Sequence, residues 1–351
     1  MHIKNVIDTV VAHYENAKTR TRTLMLLGPS GVGKSDAVRA AAEELRKRYG
    51  QFDVVDLRLS QFDPVDFRGV PSVVDARTTW NVPVFFPQEG TRGIIFLDEI
   101  TSAPQAVQAV AYQLTNDRRV GEYVLPEGWM VMAAGNRMSD RGVTFNLAAP
   151  LLNRMTVIEV HSSLEDFVDY CVDKGVAAPI IAFLKTFPQY LNERDEKINV
   201  DCQKLPVGKP FATQRAWTTG ATHYLDYPSE SRIELLSGSI GERATADFEA
   251  FLRIWETMPS VELIFSDNNG SVPVPTQKEK NGLATLYAIS VAIALRVDGK
   301  TFGTVLPYLE RMPKEFRTLV VKMAFRRDRS ISTCDAFHKW MKDNADILRI
   351  N

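Results

Sequence analysis

Eight consecutive residues, Gly28, Pro29, Ser30, Gly31, Val32, Gly33, Lys34 and Ser35, have the G-x-x-x-x-G-K-S spacing of a loop that wraps a polyphosphate. Glycines let the chain curl so that successive N–H groups point inward, and the helix that follows adds the positive end of its dipole. In that geometry Lys34 would reach the β- and γ-phosphates, and the Ser35 hydroxyl would join the shell of a Mg²⁺ ion. The flanks suit the chemistry, with an apolar run at 24–27 and a helical pattern over 35–49.

A phosphate cradle does not say whether the nucleotide is cleaved or merely held. "GIIFLDEI" puts a buried strand directly before Asp98 and Glu99, so both carboxylates emerge at a strand's carboxyl end, where open α/β sheets bind ligands. Asp98 suits the metal. Glu99, beside the γ-phosphate but off the metal, suits the deprotonation of an attacking water. "WMVMAAGNR" repeats the pattern and ends in Asn136. If that strand lies between the first and third, Asn136 emerges between Lys34 and Glu99. Taken alone, an asparagine after a strand is as readily a turn former.

These residues need a sheet to hold them. Strand-like runs at 24–27, 54–57, 94–97, 130–134 and 156–160 alternate with helical or loop segments, which predicts a parallel sheet covered by helices. After His161 the β signal fades. "SSLEDFVDYCVDKG", "PIIAFLKTF" and "TQRAWTTGATHYLDY" read as helices, the first opening on a capping box at Ser163 and Asp166. The turn-rich stretch 265–282 is the best linker candidate, and the chain beyond it is again helical. The expected organisation is an α/β nucleotide-binding domain over 1–160, a smaller all-α lid over 161–258 and a helical C-terminal extension over 259–351.

Composition narrows the setting. The 351 residues are 45% hydrophobic and 24% charged, with 42 basic against 43 acidic side chains, so no overall field draws the chain to nucleic acid or an anionic membrane. Three scattered cysteines (Cys171, Cys202, Cys334) fit free thiols in a reducing compartment. The five histidines show no metal-ligand spacing. The first 18 residues carry apolar side chains at amphipathic-helix positions rather than a secretion signal, and the run 286–295 is too short for a bilayer, so a cytoplasmic address is expected.

"GPSGVGKS", "IIFLDEI", "AAGNR", "APLLNRM" and "FATQRAW", in this order and at these separations, resemble an AAA+ ATPase, and "VDFRGVPSVVDARTTWNVPVFFP" resembles its MoxR branch. The likeness spans roughly residues 5–258. It implies ATP and Mg²⁺ as ligands and a homo-oligomeric ring, commonly a hexamer, with nucleotide bound between neighbours. It implies that Asn136 is the polar sensor of the fourth strand, that Arg154 is the arginine finger reaching a neighbour's nucleotide, and that Arg215 is the sensor arginine of the lid. Arg137 and Arg141 lie near the same edge and stay open as fingers. Before Arg215 this chain has Thr-Gln where the family more usually has Ser-Pro.

The insertion at 68–92 carries Trp80, Phe85 and Phe86 among prolines and polar residues. Two readings stay open for these rings: they pack on the domain body, or, as the resemblance implies, they face a ring's pore or upper surface. The leading expectation is an ATPase that remodels a protein partner, for many members of the branch one bearing a von Willebrand factor A domain. A motor on nucleic acid is disfavoured by neutral charge and the lack of a reader module. A slow, nucleotide-gated scaffold is disfavoured by the intact Glu99.

Overall fold

The computed structural model describes residues 1–137, 140, 147, 149–200, 202, 205, 208–267 and 270–344. The chain divides into two compact units, the first holding Met1–Ser163 and Arg194–Val207, the second Leu164–Glu193 and Gly208–Asn351.

Among the described residues nine strands occupy the first unit: β1 (Thr23–Leu27), β2 (Asp53–Arg58), β3 (Val70–Val74), β4 (Arg77–Asn81), β5 (Gly93–Asp98), β6 (Arg119–Val120), β7 (Tyr123–Val124), β8 (Trp129–Gly135) and β9 (Met155–Glu159). Five form one parallel sheet in the order β2-β5-β8-β1-β9. This is the P-loop arrangement expected from the sequence. Side chains alternate between two cores, as a sheet covered on both faces requires. Leu24, Leu26, Ile94, Phe96, Met130 and Met132 enter the core shared with helices Ile3–Glu15 and Lys34–Tyr49. Met25, Ile95, Leu97, Val131 and Ala133 enter the core shared with helix Gln105–Asp117.

The sequence pattern did not foretell two small antiparallel hairpins, β3–β4 and β6–β7. In the insertion the aromatics part company. Trp80 stands on β4 at 39% exposure, whereas Phe86 is buried and Phe85 packs with it against the second core. Phe86 stacks on Tyr123 with centroids 4.4 Å apart. Core packing is therefore the correct reading for the two phenylalanines, and the outward reading survives for Trp80 alone.

The second unit is helical. Helix Gly282–Ala294, apolar all round, packs against Ala178–Thr186, Glu242–Thr257 and Lys314–Arg327, so residues on either side of 258 share one unit. The expected linker is likewise tied into it. Buried Asp267 accepts from the Ser271 and Val272 backbones at 2.7 and 2.9 Å and from Arg311 at 3.1 Å. Residues 194–207, placed in the lid by sequence, join the first unit instead, where the Asp195 carboxylate takes the Ser162 N–H at 2.8 Å. Among the described residues no helix is long and apolar enough to cross a membrane.

Candidate active site

β1 ends at Leu27, and the loop leaves it under constraint. A Cβ on Gly28 would sit 2.5 Å from the Val160 carbonyl, so the close pass of the chain after β9 requires glycine there. Gly33 holds φ +97° at the helix start, a left-handed conformation that costs other L-residues energy. The resulting concavity precedes a 16-residue helix whose first residue is Lys34.

Within it the predicted residues meet. The Lys34 ammonium donates to the carbonyls of Gly28 and Pro29 at 2.8 and 3.0 Å and to Asn136 Oδ1 at 3.0 Å. The Ser35 hydroxyl donates to Asp98 Oδ2 at 2.9 Å. Because β8 runs between β1 and β5, Asn136 leaves the sheet between the loop and the acidic pair, as expected. Its backbone N–H is held by Thr101 Oγ1 at 3.0 Å.

Glu99 differs from Asp98 in backbone as well as in partners. It adopts φ +58°, uncommon for a residue other than glycine, and this turns the chain out of β5 into a short 3₁₀ turn. Its Oε2 accepts a hydrogen bond from Ser60, which lies just past β2. Sequence reasoning missed Ser60, and no local signal marks it: the contact arises only because β2 and β5 are neighbours.

The finger candidates separate clearly. Arg137 is spent on Asp140, with Nε and Nη2 at 3.2 and 3.0 Å from Oδ1, and on Glu196 at 3.4 Å. Burial alone would lower its pKa; the hydrogen bond and charge of Asp140, then Asp195 and Glu196, more than offset that and raise it. Arg141 lies outside the described residues. Arg154 is exposed at the turn before the edge strand β9, its guanidinium 4.9 Å over the Tyr112 ring. Among the described residues no carboxylate or carbonyl accepts from it.

Arg215 belongs to the second unit. It is exposed in the first turn of a helical segment that continues as a π-helix over Ala216–Ala221, beside Trp217, whose buried indole N–H donates to the Tyr190 carbonyl at 2.7 Å.

The part of the chain that builds this cluster resembles a known domain family. Residues 23–155 match the AAA domain, dynein-related subfamily. Every strand of the five-stranded sheet and each loop that carries the cluster falls within or at the border of that stretch. Solved structures that resemble the chain include NtrX from Brucella abortus in complex with ATP, at 17% identity and TM-score 0.35, covering 73% of this chain and 63% of NtrX. PCH-2 from C. elegans matches at 14% identity and TM-score 0.33, covering 83% of this chain and 68% of that one. The chain thus spans 63% of the length of the NtrX structure. No curated protein sequence matches it.

The residues fit a nucleotide with a divalent cation. Gly28 excludes a side chain where the loop leaves β1, and the Ser35 hydroxyl and Asp98 carboxylate, already within 2.9 Å of each other, are hard oxygen donors of the kind Mg²⁺ takes alongside phosphate.

Proposed function

We propose that the AAA domain binds ATP with Mg²⁺ at 28–35 and hydrolyses it, and that assembled copies use the cycle to remodel or activate a protein partner, as MoxR-type chaperones do. The observation that carries the reading is the convergence of Lys34, Asn136, Ser35 and Asp98 at adjoining strand ends. Backbone N–H groups of the loop and Lys34 bind the β- and γ-phosphates. Ser35 and Asp98 hold the metal, which supplies charge neutralisation on the phosphate oxygens when bound. Glu99 takes the proton of the attacking water as the water oxygen bonds to the γ-phosphorus and the bridging oxygen leaves with ADP. To do so its carboxylate exchanges the Ser60 hydroxyl for the water. Asn136 orients the water or the γ-phosphate.

Arg154 acts on the nucleotide of another copy in the ring, taken to be a hexamer, because it precedes β9, the edge strand of the sheet, and its guanidinium lies over Tyr112 rather than against Lys34, Ser35, Asp98 or Asn136. Arg215 acts as the lid's sensor. The partner, in one form a von Willebrand factor A domain, engages the β3–β4 hairpin, where Val73 is 77% and Val70 66% exposed. At the hairpin's base Trp80, Phe67, Arg68 and Tyr123 line a cleft of about 310 Å³ beside β6–β7. The protein works in the cytoplasm on this reading.

Glu99→Gln tests it. The amide keeps the shape but cannot take a proton, so ATP binding should persist while turnover is lost. Turnover at the wild-type rate would remove Glu99 as the base.

A further inference from the structure

Arg154 stands on a mount built by its own chain. The two residues flanking its turn are core anchors, Leu151 at 2% and Met155 at 3% exposure, and the Arg154 N–H closes the turn on the Leu151 carbonyl at 3.2 Å. Arg22, the residue before β1, pins the same turn, its Nη2 donating to the Asn153 and Met155 carbonyls at 3.4 and 3.3 Å and its Nε to Thr156 Oγ1 at 2.9 Å. The backbone is therefore fixed on both sides of Arg154. The side chain is fixed differently, by a ring rather than a charge: its guanidinium lies 4.9 Å over Tyr112, which helix Gln105–Asp117 presents half-buried from the second core.

The choice of an aromatic partner matters chemically. A carboxylate would use up the in-plane N–H donors, as Asp140 and Glu196 do for Arg137. An aromatic face attracts the cation through its quadrupole and leaves those donors open at the edge. An exposed arginine left to itself samples many rotamers, and ordering it on binding costs affinity or rate. We infer that Tyr112 is a positioning residue that holds Arg154 extended and unpaired, ready to take the phosphate oxygens of a nucleotide bound to a second copy of this chain. The inference rests on the reading of Arg154 as the finger.

The test compares Tyr112→Phe and Tyr112→Leu with Arg154→Ala, measuring melting temperature, ATP binding, and kcat and KM separately. Phenylalanine keeps the face and should keep wild-type kcat. Leucine fills the half-buried site without a face and should lower kcat about five- to twentyfold with ATP binding and KM nearly unchanged, the scale of a lost cation–π contact plus misplacement. Should Tyr112→Leu fail to fold, Tyr112→Met carries the same expectation. Added to Lys34→Ala subunits, which carry an intact finger, Tyr112→Leu subunits should recover activity per intact loop. If Arg154→Ala is inactive while Tyr112→Leu turns over like wild type, or if phenylalanine is as damaging as leucine, the mount is wrong and the finger stands. If Arg154→Ala itself turns over normally, the finger reading fails, and the mount with it.

Discussion

Lys34, Ser35, Asp98 and Asn136 satisfy one another at the strand ends of the first unit and remain partly exposed, whereas Asp267 in the second unit is buried and gripped by Ser271, Val272 and Arg311. Arg232 and Glu249 are paired in the same closed manner through Nε at 2.7 Å and Nη2 at 2.9 Å. The first set of contacts is one that a ligand can enter by exchange: phosphate oxygens for carbonyls at Lys34, a metal for a proton between Ser35 and Asp98. The second set has no face to offer. The polar groups of both sets are hydrogen-bonded, so hydrogen bonding alone does not mark a site; access and the chance of exchange do.

Lys34→Ala should sharpen the contrast most. Removing the cation that spans the cradle should weaken ATP binding by about a hundredfold or more without unfolding the chain, because a charge-assisted contact to phosphate is lost and nothing in a core is disturbed. Wild-type nucleotide affinity in a folded Lys34→Ala protein would break the assignment.

Within the insertion the two kinds of aromatic should part in the same way. Phe86→Ala opens a cavity beside Phe67 and Tyr123 and should cost about 3–5 kcal/mol in denaturant unfolding. Trp80→Ala, on an exposed strand, should cost about 1 kcal/mol or less while impairing partner engagement. Equal destabilisation by the two would place Trp80 in the core after all.

The smallest effect belongs to the second unit. Burial pushes the Asp267 carboxyl up, but hydrogen bonds from Val272 and Ser271 and the charge of Arg311 outweigh it and hold the group at about 2, against an ordinary 3.8. A carboxyl depressed on folding stabilises above its unfolded value, and that contribution disappears as pH falls through about 2. Asp267→Asn should therefore flatten the fall in melting temperature between pH 4 and pH 2. A fall as steep as wild type's would deny Asp267 that role.

What the sequence made legible follows the same division. The loop, the acidic pair and Asn136 could be placed because each sits at the end of an apolar run; that the run before Asn136 lies between the other two is a condition the sequence leaves open, and the sheet order meets it. The β3–β4 hairpin could not. Its strands are almost wholly exposed, and its two-residue turn uses Asp75 and Ala76 at φ +50° and +59° where a glycine would have announced it. Ser60 and the return of 194–207 depend on contacts between distant parts of the chain. No periodicity records such contacts. In the second unit the run 265–282 has a linker's composition, yet Asp267 and Arg311 fasten it, and a charged pair 44 residues apart leaves no local pattern.

The central claim is that one chain's loop and another chain's Arg154 make the working site. Mixing Lys34→Ala with Arg154→Ala protein tests it directly by ATP turnover, since each alone lacks one half. Mixed assemblies contain interfaces where an intact loop from the Arg154→Ala subunit meets an intact arginine from the Lys34→Ala subunit, so activity should return in part, by orders of magnitude over either protein alone if the arginine contributes on the scale of about 10³ or more. No recovery in mixtures proven to co-assemble, or full turnover by Arg154→Ala on its own, would contradict the account.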